Sequence, residues 1–184
     1  MLMRRFALAV FVFAIVALPA GAQDDNIDWP QFTVSDDVSA LPKAVQETRR
    51  QLIEAARSGD IEALRPIIEA QERPPTVSYG APDDAVDYLR TYSADGEGLE
   101  NLAILLDLLE TPYAVWNNGT DATYVWPYLS AVPDLSALTP PQTIDAYRIV
   151  SPEALAELIE LDAWYYWRVH IAPDGTWLAF VAGD

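Results

Sequence analysis

The chain has 184 residues, with 11 Lys and Arg against 28 Asp and Glu, a formal net charge of −17, one histidine and no cysteine. At 51% hydrophobic and 21% charged residues the composition is that of a globular protein and not of a disordered one. The missing cysteines exclude a disulfide scaffold, a thiolate zinc site, an iron–sulfur cluster and a cysteine nucleophile; the single histidine excludes a multi-histidine metal centre; and the acid excess argues against a nucleic-acid surface, which must neutralise phosphates with Lys and Arg.

Residues 1–22 have the pattern of a secretory signal peptide. Arg4 and Arg5 precede an apolar run from Phe6 to Leu18, Pro19 breaks it, and Ala20-Gly21-Ala22 forms a small-residue cleavage site before Gln23. The run is shorter than the roughly 20 apolar residues a bilayer span needs. Cleavage between Ala22 and Gln23 would leave 162 residues with a net charge of −19, a periplasmic or secreted product with no membrane span. That length suits one domain able to fold without disulfides.

Residues 23–40 are acidic and lack sustained periodicity, as in an extended arm that Trp29 and Phe32 could pin; residues 41–184 then form the single domain. Leu41 to Ser58 carries a helical stripe with Pro42 at its first position, Gly59 as terminator and Asp60 as the next cap. A second helix follows with Ile61, Leu64, Ile67 and Ile68 inward, and Pro66 should kink or shorten it. Pro82-Asp83-Asp84 opens a third helix whose inner face holds Val86, Leu89 and Tyr92. Leu99 to Glu110 is apolar nearly all round and reads as the central core helix.

The remainder has more β character. Tyr113–Trp116 and Thr123–Leu129 flank an Asn117–Thr120 turn, with Pro127 expected to end the second strand or push it to an edge. Ser151 caps a further helix with Leu155, Leu158 and Ile159 inward. Trp164–Ala172 and Thr176–Ala182 flank Pro173-Asp174-Gly175, a hairpin in which Ile171 should face Trp177, Val169 face Ala179 and His170 face Leu178. The expected architecture is α+β: four or five helices on a small antiparallel sheet closed by that C-terminal hairpin. The stretches AARSGDIEALRP, YVWPYL and IAPDGTWLAFVAGD resemble a family of uncharacterised exported proteins of Gram-negative bacteria, the alphaproteobacteria in particular. The resemblance implies an envelope location and a single domain, and lends no catalytic residues.

No nucleophile motif accompanies His170, which would share a strand face with Trp164, Tyr166 and Arg168. Asp83, Asp84 and Asp87 cluster at one helix start, where the helix dipole suffices to explain them. Asn117, Asn118, Thr120, Asp121 and Asp174 offer oxygen ligands without forming a calcium-loop motif, so no metal and no cofactor is expected. Asn118-Gly119-Thr120 matches a glycosylation sequon but reads as turn chemistry. The aromatic content stands out, with six Trp and nine Tyr. Tyr124, Trp126 and Tyr128 alternate, as do Trp164 and Tyr166, and such rings can stack on sugars or grip peptides. The leading expectation is a non-catalytic binding or interaction protein, with an aromatic surface of Trp126, Tyr128, Trp164, Tyr166, Arg168 and His170. Its partner would be a peptide, a glycan or a basic protein of the cell envelope. The enzymatic alternative is a carboxylate-dependent hydrolase of cell-wall glycan or peptide, which needs two acids converging in a cleft. A third expectation is an accessory protein docking through an apolar patch near Leu64 to Ile68.

Overall fold

A computed structural model describes residues 31–118 and 121–183. The signal-peptide segment, its cleavage site, Trp29 and the Gly119-Thr120 tip lie outside the described residues.

The fold is α+β. Five strands, β1 (Gln31–Ser35), β2 (Tyr113–Asn118), β3 (Asp121–Trp126), β4 (Arg168–Ile171) and β5 (Trp177–Val181), form one antiparallel sheet in chain order. Helices α1 (Lys43–Ser58), α2 (Arg65–Glu69), α3 (Ala85–Thr91) and α4 (Leu99–Leu109) are inserted between β1 and β2; α5 (Pro140–Tyr147) and α6 (Pro152–Glu160) lie between β3 and β4. Strand alternation divides the sheet residues between two cores. Tyr113, Trp126, Val169, Ile171 and Phe180 join Val45, Leu52, Leu89, Leu102, Leu105 and Leu109 of the first helical group in one cluster. Ala114, with Phe32 packed beside it, joins Leu129, Leu135, Ala146, Leu155, Leu158 and Trp164 in the other. Of the segment expected to be an extended arm, the described part enters the domain: β1 pairs with β2 from Gln31↔Asn117 to Ser35↔Tyr113, and Val38–Ala40 forms a 3₁₀ turn.

Several helix boundaries follow from the caps. Gly59 ends α1 in the left-handed conformation, with φ 70°. Pro42 is the N-cap of α1 and not its first residue. Asp60 accepts the Glu62 N–H at 3.0 Å and starts a 3₁₀ turn, Ile61–Leu64. Pro66 then divides what periodicity joins: it sits in the first turn of the short α2, where it has no N–H to satisfy. Tyr92, expected inside, is 67% exposed, because α3 ends at Thr91 and Tyr92 folds back to stack on Tyr88 at 4.4 Å. Leu99 and Ile159 are likewise outside, at 49% and 36% exposure. Helix α5 carries no apolar stripe that periodicity would reveal, with only Ala146 buried. Its signal is the capping box of Thr139 and Gln142 around Pro140-Pro141.

The C-terminal hairpin differs from its expected pairing by one residue. Ile171 faces Trp177, but a bulge between His170 and Ile171 shifts the rest, so that His170 faces Ala179, Val169 faces Phe180 and Arg168 faces Val181. Leu178, 39% exposed, is the extra residue that lets both Trp177 and Phe180 remain fully buried. β3 stops at Trp126, so Tyr128 leaves the alternation; it lies in the 3₁₀ turn Tyr128–Ala131 and packs in the second cluster.

The outer edge of β5 is closed by non-strand groups. Thr76 forms a parallel bridge, donating its N–H to Leu178 O and accepting from Phe180 N–H, both at 2.9 Å. The Gln71 side chain does the same for Trp177: Oε1 accepts its N–H and Nε2 donates to its carbonyl, each at 3.0 Å, with a further bond to Arg73 O at 2.7 Å. Gln71→Ala would leave both Trp177 backbone groups without partners and unmask the edge. A loss of about 2 kcal/mol is expected in chemical denaturation, with faster aggregation on heating. A loss below about 0.5 kcal/mol would contradict the edge-closing role.

Candidate functional site

The six residues expected to form one aromatic surface do not share a face. Trp126, Tyr128 and Trp164 are 0%, 3% and 6% exposed, with Trp126 in one core and Tyr128 and Trp164 in the other. Trp126 packs on Tyr113, ring centroids 5.5 Å apart. Trp164 meets Tyr166 edge-on at 6.3 Å, and its Nε1 donates to Trp167 O. Tyr128 donates its hydroxyl to Asp145 at 3.0 Å, and burial with that carboxylate pushes its ionisation well up. Large rings at the sheet–helix seams supply packing area, which overrides the exposed-face reading that alternation alone allows. Tyr166 is half-buried.

Arg168 and His170 remain on one face of β4. The Arg168 guanidinium works as a tie, donating to Trp164 O at 3.2 Å, Gly183 O at 2.9 Å and the Tyr79 hydroxyl at 2.8 Å. His170 meets the Trp116 ring edge-on at 6.2 Å, and its buried Nε2 has no hydrogen-bond partner among the described residues. Burial first, and the Arg168 charge second, push its imidazole down to about 4. It is therefore neutral at pH 7, which suits a packed ring.

The Asp83–Asp87 cluster is structural. Asp84 caps α3 by accepting from Val86 N–H and Asp87 N–H at 2.9 and 3.0 Å, and its other oxygen takes Arg65 Nη1 at 2.8 Å. Arg65 and Arg90 both reach Glu62, and Arg90 also takes Asp87 at 2.7 Å, so the network ties α3 to the 3₁₀ turn before α2. The Asp87 N–H and Arg65 hold the Asp84 carboxyl below the usual carboxylate range. Among the described residues no group of three His, Asp or Glu side chains could hold a metal ion.

Two neighbouring clefts lie elsewhere. Pro66, by dividing the helix after Gly59, sets α2 beside α1 with a gap between them. A cleft of about 740 Å³ opens between α1, the Ala70–Thr76 segment and the β4–β5 turn; a second, of about 480 Å³, continues between α1 and α2 and shares Gln51, Ile67 and Ala70 with it. Thr48, Gln51, Ala55 and Ser58 present one stripe of α1 to the two. The lining of the larger cleft is mixed, with half-buried Ile67 and exposed Ala70 and Pro74 set among Thr48, Gln51, Gln71 and Thr76. The far wall is fixed by the turn. Gly175 has φ 90°, and a Cβ there would come within 2.9 Å of Ala44 O, so the turn rests directly on α1 and is pinned by the Thr48 hydroxyl donating to Gly175 O at 2.6 Å.

Sequence periodicity places Ile67 inward and treats Arg73-Pro74-Pro75 only as a terminator, so none of this wall is visible in it. The one forward signal is Pro66 inside an apolar helical pattern. Asp174, on the turn, accepts the Thr176 N–H at 2.9 Å, and that bond holds its carboxyl below the usual range. No helix among the described residues is long and apolar enough to cross a membrane. No protein-family model matches the chain, and neither a curated protein nor a solved structure is similar to it.

Proposed function

We propose that this chain is an exported, non-catalytic binding protein that holds its partner in the cleft between α1, α2 and the β4–β5 turn. The observation that carries this reading is that the two clefts lie along one face of α1 and share Gln51, Ile67 and Ala70. Each cleft, at about 740 and 480 Å³, is within the range that ligand sites occupy. The basic, apolar and small-residue sections of residues 1–22 support a periplasmic or secreted location. The hydrolase alternative finds less support. A general acid needs a carboxyl raised toward neutrality, whereas Asp174 at the cleft wall is shifted the other way.

Ala70 is exposed and lines both clefts, so Ala70→Trp would fill the junction without entering either core. In a panel of envelope glycans and short peptides, the ligands held by the wild-type protein should be lost by Ala70→Trp at unchanged Tm. Ligands that bind the variant as well as the wild type would place the binding surface elsewhere.

A further inference from the structure

We infer that the partner is an extended polypeptide segment carrying Lys or Arg side chains. This deepens the binding reading and rests on the cleft being the site. Thr48 and Ser58, ten residues apart on α1, mark the two ends of the groove. At the helical rise that separation is about 15 Å, enough for about four or five residues of extended chain. The floor of Ala55, Ala63, Ile67 and Ala70 offers shallow apolar seats, too small for a docked helix and suited to alternate side chains or aliphatic stems. The rim has an excess of acid: Glu72 and Asp174 line the larger cleft against Arg73, and Glu54, engaged by Arg50, lines the smaller. The cation nearest on α1, Arg50, is already held between Glu47 and Glu54, each at 2.5 Å.

The rest of the molecule reinforces that sign. Five arginines are held in ion pairs by seven carboxylates among the described residues, and Arg49 and Arg168 are turned onto backbone carbonyls. Lys43 and Arg73 are the other cations among the described residues, so the excess charge of a chain at −17 is carboxylate, and its field draws cationic segments toward the surface while repelling acidic ones. A Lys or Arg stem lying on Ile67 could set its charge between Glu72 and Asp174.

The probe is a fluorescent octapeptide of alternating Ala and Lys, with its Ala-Glu counterpart, measured by anisotropy and by amide chemical shifts of the full mature chain. The Ala-Lys peptide should shift amides of Gln51, Ala70 and Gly175 and lose roughly tenfold in affinity in Glu72→Gln/Asp174→Asn. Glu157→Gln/Glu160→Gln removes two carboxylates from exposed positions on α6 and should leave affinity within about twofold. Equal weakening by both pairs, or shifts scattered over the acidic surface, would reduce the effect to bulk charge and overturn the inference. A neutral glycan or Ala-Ser peptide that is excluded by Ala70→Trp, with no binding of Ala-Lys, would overturn the cationic partner and leave the cleft standing. Indifference of every probe to Ala70→Trp would overturn both.

Discussion

Trp126→Ala is expected to cost about 3–5 kcal/mol in chemical denaturation, the range for truncating a large ring in a packed core. The side chain is fully buried at the end of β3, between the Tyr113 ring and the Val169 position of β4. Domains are stable by about 5–15 kcal/mol, so this loss would take a third or more of the margin and lower Tm by about 10 °C. The comparison with Trp126→Phe is informative. The Trp126 Nε1–H is buried with no acceptor among the described residues, a donor whose desolvation they do not compensate. Phe deletes that donor while keeping most of the apolar area, so its cost should be below about 1.5 kcal/mol. A mild Trp126→Ala, under about 1 kcal/mol, would mean that the ring is not the core residue it is here.

The second large effect depends on pH. His170 is neutral in the native protein and its folded-state value, about 4, lies below the ordinary 6.5 of an unfolded histidine. The unfolded chain therefore takes up the proton first as pH falls. The stability associated with the neutral imidazole is complete above pH 6.5 and is lost as pH falls from 6.5 to 4, by about 3 kcal/mol in all. Two other effects act on acidification. Asp84 and Asp174 are held below the usual carboxylate range, so their contribution is lost only at lower pH. Relief of the −17 self-repulsion works in the opposite direction. Subtracting one protein from another removes both. The stability of wild type minus that of His170→Phe should fall by about 3 kcal/mol between pH 6.5 and 4, and a flat difference would show that the imidazole titrates normally in the fold.

These two residues also show what the sequence could and could not express. The helix starts at Asp60, Asp84 and Ser151, the stop at Gly59 and the Pro-Asp-Gly turn are local hydrogen-bond chemistry, and each lies where residue type places it. The buried stripe of α1 is legible as well, because a helical period selects one face, whereas α4 is apolar nearly all round and its period does not single out the face that holds Leu102, Leu105 and Leu109. Strand alternation carries less. It puts Tyr124 and Trp126 on one face but does not say which face is covered, and here helices cover both, so rings expected at a surface are core. The bulge that re-pairs His170 is one extra residue with no signature in composition. The cleft is less legible still. Its walls come from α1, the residues around Ala70 and Gly175, more than a hundred positions apart, and it exists because a turn glycine rests on a helix carbonyl. Gln71 looks like a polar residue at a helix end and closes a sheet edge only because β5 lies beside it.

The division between a structural set of aromatics and a binding cleft is tested most directly by Ala70→Trp and Tyr166→Ala, assayed side by side for Tm and for affinity toward the Ala-Lys peptide. Tyr166 is half-buried beside Trp164 and lies outside the cleft lining. Ala70→Trp should keep its Tm and lose the peptide, while Tyr166→Ala should lower Tm and bind at wild-type affinity wherever it is folded. A folded Tyr166→Ala that has lost the peptide, together with an Ala70→Trp that retains it, would return the function to the aromatic surface and contradict the cleft.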